Sequence, residues 1–152
     1  MILPSRRSNL TIKEVLVNAL SGESMVHTRY LVFVDTSERG SRNVARLFKA
    51  IGFAELVHTG NHYSNLRGLR EEAKVSAGLP IGPGNTSRNL EIGIMGETFE
   101  VNEIYPAYIA IARSQGEKEA ERSFTWALEA EKIHAELYSK RRSTSTKART
   151  CP

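Results

Sequence analysis

Two Glu-x-x-His pairs, Glu55/His58 and Glu131/His134, carry the residue types and the spacing with which this 152-residue chain could do chemistry. On a helix, residues three apart share a face, so each pair presents a carboxylate and an imidazole side by side. Such donors suit iron, manganese or zinc, and ligand type alone does not choose among them. Random order at this composition would give about 0.4 such pairs. A solvated face of charge pairs would explain neither the recurrence nor the apolar residues around each pair.

The pairs sit in apolar seams that step by four and three residues, as core-facing helix stripes do. One seam reads Val44, Phe48, Ile51, Glu55, His58, His62 and another Ala120, Phe124, Ala127, Glu131, His134, Tyr138. Two more read Leu16, Ala19, Glu23, Val26, Tyr30 and Leu90, Gly93, Glu97, Glu100, Ile104. Uncompensated carboxylates in a bundle core cost several kcal/mol each, so five at matching height call for cations. Two divalent metals held by one Glu from each of two helices and Glu-x-x-His from each of the others is a known layout. Glu23, Glu97, Glu55/His58 and Glu131/His134 supply it.

Glu100 has no counterpart in the first half, where Val26 stands. An extra anionic ligand offsets the added positive charge of oxidised metals and can yield to a neutral one such as His58 on reduction, which is redox and not hydrolytic chemistry. Glu100 and His58 are therefore the candidate catalytic residues, with Tyr30 and Tyr105. The tyrosines lie two turns past Glu23 and Glu97, placed either to hydrogen-bond carboxylates or to fill core. His27 and His62 read as satisfied polar residues at the ends of the core, and Trp126 as packing.

The elements that must position these residues are four helices, expected over about 8–38, 41–62, 87–114 and 117–140. Gly40 is placed to end the first and Ser41 to cap the second. Residues 64–86, with Gly78-Leu-Pro-Ile-Gly-Pro-Gly, form a long crossover, and Pro106 interrupts the third helix. Sixteen of the 17 acids are Glu, which tolerates helix interiors better than Asp. The halves repeat: Gly22-Glu23-Ser24 is echoed 74 residues later, and Ala54-Glu55-Leu56-Val57-His58 is echoed 76 residues later by Ala130-Glu131-Lys132-Ile133-His134. The expected fold is all-α, a ferritin-like four-helix bundle with one crossover between helices two and three.

Composition narrows the alternatives. The net charge is +4, but residues 139–152 hold five bases and no acid, leaving 16 bases against 17 acids elsewhere. Residues 1–140 are thus expected as the bundle and 141–152 as a basic, disordered tail, a solvated charge run that makes nucleic acid an unfavoured partner. The single cysteine, Cys151, rules out an intrachain disulfide or a thiolate cage. No signal-like or bilayer-length apolar segment is evident, so a cytoplasmic protein is expected.

These segments, with Gly96-Glu-Thr-Phe-Glu100, Tyr105-Pro106 and Ala127 to Tyr138, resemble the rubrerythrin family over about residues 8–140. The resemblance implies a di-iron centre in which Glu55 and Glu131 bridge, Glu23 and Glu97 are terminal ligands, and His134 binds the second iron. Glu100 and His58 would then alternate on the first iron with oxidation state. It also implies reduction of hydrogen peroxide to water, and a homodimer that could exchange helices through residues 64–86. The usual C-terminal rubredoxin segment is replaced by Thr150-Cys151-Pro152, which resembles a stand-alone form served by an external rubredoxin-like donor. Peroxide reduction is the first reading, ferroxidase or iron-handling activity with dioxygen the second, and a binding protein with a basic docking tail the third.

Overall fold

A computed structural model describes residues 10–70, 72, 74–76, 78 and 84–147, with side chains described as far as residue 143. The described elements are all helical: α1 Ile12–Glu38, α2 Arg42–Gly68, α3 Thr86–Phe99, a π-helical turn Glu100–Ile104, α4 Tyr105–Ser114 and α5 Lys118–Lys147. Segments α3, π turn and α4 run as one long rod, so the bundle has four members.

Local chemistry sets the ends. Thr11 caps α1 in a reciprocal box with Glu14, satisfying two otherwise unpaired backbone donors. Ser41 stands at the start of α2 as expected, although its side chain makes no capping bond. Asn85 accepts from the Arg88 amide at the start of α3. Gly116, at φ 75°, lets the chain leave α4 while the Glu117 amide reaches back to the Ala112 carbonyl at 3.0 Å. Gln115 ties this turn to the other hairpin by accepting from Ile12 N at 3.0 Å and donating to Leu10 O at 2.8 Å.

Two extents differ from expectation. Helix α2 continues six residues past His62, and α5 continues to Lys147, through the first half of the expected tail. Lys140 pairs with Glu136 at 2.5 Å and Arg142 with Glu91 of α3 at 2.7 Å. Basic side chains also complement the negative end of the helix dipole, so propagating a formed helix here is cheap. Residues 148–152, including Cys151, lie outside the described residues. Among the described residues, no helix is long and apolar enough to cross a membrane.

The four seams meet as anticipated, with one shift. Leu90, Gly93 and Glu97 are buried, but the next buried position is Tyr105, one residue later than a regular seam would place it, and Ile104 is only partly covered. The π turn absorbs that residue: the Tyr105 amide bonds the Glu100 carbonyl five residues back. Pro106 offers no amide to carbonyl 102 and its ring crowds that carbonyl, which favours the wider turn.

Apolar packing falls into two clusters on either side of a polar layer. One joins Leu16, Leu20, Leu66, Tyr105, Ala112 and Phe124; the other joins Val26, Tyr30, Phe33, Phe48, Leu90 and Tyr138. Trp126, expected as packing, is instead 59% exposed with the Arg122 guanidinium 5.3 Å over its ring.

A pair of glycines separates close packing from helix propensity. A Cβ on Gly93 would lie 3.0 Å from the Tyr138 ring, whereas one on Gly60 meets nothing within 4 Å. Gly60→Ala should gain about 0.5–1 kcal/mol, while Gly93→Ala should lose about 1–2 kcal/mol because overpacking outweighs propensity. Urea unfolding of both variants measures the difference in sign.

Candidate metal centre

The polar layer gathers one carboxylate from each bundle member: Glu23 on α1, Glu55 on α2, Glu97 on α3 and Glu131 on α5. Glu55, Glu97 and Glu131 are fully buried, and Glu23, His58 and His134 nearly so. Donor atoms converge in two groups, each within 4.8 Å: Glu23, Glu55, His58, Glu131 and Glu55, Glu97, Glu131, His134. Glu55 and Glu131 belong to both groups, which is where two-metal bridging ligands must stand.

The site's own contacts do not satisfy it. His58 Nδ1 lies 2.8 Å from Glu131 Oε1 and 3.2 Å from Glu55 Oε2, yet it makes no aligned hydrogen bond. Both Glu55 oxygens and one each of Glu23, Glu97, Glu100 and Glu131 are also buried without a hydrogen-bond partner. Only His134 Nδ1 bonds within the layer, to Glu131 Oε2 at 2.6 Å. Buried carboxylate oxygens are ordinarily paired. Orphaned atoms aimed at common points, with mixed Glu and His donors, fit two divalent cations of the iron, manganese or zinc type.

The tyrosines fasten this layer crosswise. Tyr30, on α1, donates to Glu97 of α3, and Tyr105, at the start of α4, donates to Glu23 of α1. Each therefore orients a carboxylate of the other hairpin, which resolves the choice between bonding and filling core. His27 bonds the Gly52 carbonyl through Nδ1 at 2.5 Å, and His62 lies between Tyr105 and Ser123. Ser123 escaped the sequence reading; its signal was one hydroxyl inside the core-facing stripe of α5.

Glu100 is not among the six converging residues. It stands at the rim, as the first residue of the π turn, where it lines a cavity of about 240 Å³ with Glu23, Gly22, Val26, Tyr105 and Tyr108. Its inner oxygen is buried, and beyond burial itself the charges it feels are those of Glu23, Glu131, Glu55 and His58. It shares that cavity with Glu23, a member of the first converging group.

Protons stand in for cations in the electrostatics. Burial, then neighbouring carboxylates, raise Glu23 and Glu100 well above the usual range, and burial chiefly raises Glu97. Burial pulls His58 and His134 down, but contacts with Glu131 and Glu55 outweigh it, pushing His58 up to about 9 and His134 up to about 12. Burial raises Glu131, but its two histidine contacts prevail and hold it low.

Groups with raised folded pKa values stabilise below their unfolded values and lose that contribution as pH climbs through the folded ones. The metal-free protein should therefore lose stability from about pH 4.5 for the glutamates and from about pH 6.5 to 9 for His58. Glu131 acts oppositely, and only as pH falls below its ordinary range. Between pH 5.5 and 8.5 the urea midpoint should fall, His58 alone contributing the equivalent of about 2–3 kcal/mol and His134 and the raised glutamates acting in the same direction. Metal ions should reverse the loss and release protons on binding, measurable by calorimetry in buffers of different ionisation enthalpy.

Residues 14–141 match the family model described as Rubrerythrin. The chain is 44% identical over 131 residues to Rubrerythrin-2 of Clostridium acetobutylicum, covering 86% of this chain and 71% of the relative. It superposes on nigerythrin in its fully reduced, all-ferrous state with TM-score 0.81 at 34% identity, over 94% of this chain and 71% of that one. Bacterioferritin of Rhodobacter capsulatus gives the same TM-score at 19% identity, covering 90% and 86%, a likeness of fold alone. Bundle, layered site and sequence agree: the chain belongs to the rubrerythrin family and has a ferritin-like four-helix fold.

Proposed function

We propose that this chain is a di-iron peroxidase that reduces hydrogen peroxide to water in cytoplasmic defence against oxidative stress. The observation that carries the reading is Glu100. It is an acid in excess of the paired ligand set, standing at the start of the π turn with a buried unpartnered oxygen, in a cavity it shares with Glu23.

Two ferrous ions, when bound, would supply the two electrons that cleave the peroxide bond. The chain's own residues do the rest. Glu55 and Glu131 would bridge the metals, Glu23 and Glu97 would close the two ends, and His134 would hold the second position. Glu100 and His58 would exchange at the first, so that a negative ligand accompanies the oxidised pair and a neutral one the reduced pair. The cavity beside Glu23, Glu100 and Tyr105 is of a size for a small oxidant. At the opposite end Tyr30, Phe33, Phe48 and Tyr138 interlock with ring centroids 5.1–6.2 Å apart. Access is thus one-sided.

The one cysteine of these 152 residues cannot by itself hold a four-thiolate iron, and we propose an external rubredoxin-like protein as the electron donor on the strength of the family likeness. Exposed apolar side chains on α2 (Phe53, Leu56, Val57) and α5 (Ile133, Leu137) support a homodimer.

Anaerobic ferrous loading followed by rapid mixing tests the function. Oxidation by peroxide should outpace oxidation by dioxygen, and Glu100→Ala should slow the peroxide reaction selectively by about tenfold or more. Faster reaction with dioxygen would favour iron handling instead, and unchanged peroxide kinetics in the variant would remove the role of Glu100.

A further inference from the structure

A line of buried polar atoms leads away from the metal layer at Glu23. Tyr105 donates to Glu23 Oε1; Tyr105 Oη lies 3.2 Å from His62 Nε2; and His62 Nδ1 lies 3.1 Å from Ser123 Oγ. All four residues are at least 96% buried, and His62 completely so.

Counting donors fixes the direction of the line. The single proton of Tyr105 is committed to Glu23, so its oxygen can only accept from His62, which requires the Nε2–H tautomer. Nδ1 of that neutral ring is an acceptor and must take the Ser123 hydroxyl proton. Every donor then points toward Glu23. Ser123 lies one turn along α5 from Glu119 and Ala120, which line a surface cleft of about 390 Å³ with Leu16 and Asn65.

The other half of the bundle has no such line. Tyr30 makes the equivalent bond to Glu97, but the position repeating His62 is Tyr138 and the one repeating Ser123 is Leu47. There the rings of Tyr30 and Tyr138 meet edge to face at 5.5 Å, among Phe33 and Phe48. Among the described residues, the line that passes through a histidine stands on the side that carries Glu100 and its cavity.

We propose that Ser123 and His62 form, with Tyr105, a proton relay serving the first metal position. The proposal rests on the redox reading above and holds for either oxidant. Reduction of one peroxide consumes two electrons, from the metals, and two protons. In the relay the Tyr105 O–H bond breaks as its proton passes to an oxygen of the bound oxidant or to Glu23. The Nε2 proton of His62 replaces it, the Ser123 proton moves to Nδ1, and a proton drawn from solvent restores the Ser123 hydroxyl; rotation of the hydroxyls and of the His62 ring returns the line to its starting direction. The relay thus delivers one of the two protons, and no side chain changes oxidation state.

The test combines a spectroscopic and a kinetic readout. Nitrogen-15 NMR of the zinc-loaded protein should show His62 as the neutral Nε2–H tautomer; an Nδ1–H or doubly protonated ring overturns the relay. His62→Gln keeps a donor toward Tyr105 and an acceptor for Ser123 but cannot exchange tautomers. It should bind the same amount of ferrous iron and slow single-turnover oxidation by about tenfold or more, with a larger solvent deuterium isotope effect than the parent. Ser123→Ala should slow it in the same direction, and covers the case in which His62→Gln fails to fold. Parental rates in either folded variant overturn the proposal. If the parent reacts with dioxygen and not with peroxide, the peroxidase reading fails, while the same comparison in the dioxygen reaction still decides the relay.

Discussion

Four carboxylates confined to one dry layer of a helical bundle repel each other and cannot be solvated. That constraint organises the molecule. Each of Glu55, Glu97 and Glu131 is fully buried, and the layer's oxygens are largely without hydrogen-bond partners. An arrangement of this kind is tolerable with protons or with metal ions, and strongly unfavourable with neither. The raised values of Glu23, Glu97, His58 and His134 are the protonic solution. The convergence of donors in two groups that share Glu55 and Glu131 is the geometry of the metallic one. Apolar clusters above and below isolate the layer, so helix packing and site electrostatics are the same problem.

On this symmetric frame the functional differences are departures from symmetry. Crosswise bonds from Tyr30 and Tyr105 treat the two terminal glutamates alike. Glu100 replaces Val26, His62 replaces Tyr138 and Ser123 replaces Leu47, all to the advantage of the Glu23 end. One end of the layer borders a cavity lined by Glu23 and Glu100; the other is packed with aromatic rings. A redox pair with one reacting position needs such polarity, because charge and protons must enter where the oxidant does.

The seams of all four helices were legible in sequence because core burial imposes a period, and Glu and His stood at core positions of that period. Even the π turn left a trace. Glu23 and Glu97 are 74 residues apart but Tyr30 and Tyr105 are 75, an insertion of one residue that only a widened turn can absorb without rotating the seam. The crossing of the tyrosines was not legible, since their partners lie on another hairpin and spacing carries no information about that. The same holds for His62 and Ser123, which meet from α2 and α5. The length of α5 was underestimated because its last residues lack apolar periodicity; pairs such as Arg142 with Glu91 are tertiary and invisible to it. Glu100 was placed one turn from Glu97 correctly along the chain, yet it stands at the rim and not in the converging group.

The central claim is that the buried layer is a two-metal site. Anomalous scattering at the iron edge, from crystals grown anaerobically with ferrous iron, addresses it most directly. Two peaks per chain are predicted, both beside the carboxylates of Glu55 and Glu131, one next to His58 and the other next to His134, whose rings stack 6.0 Å apart. A single peak, or iron bound only outside this layer, would contradict the account.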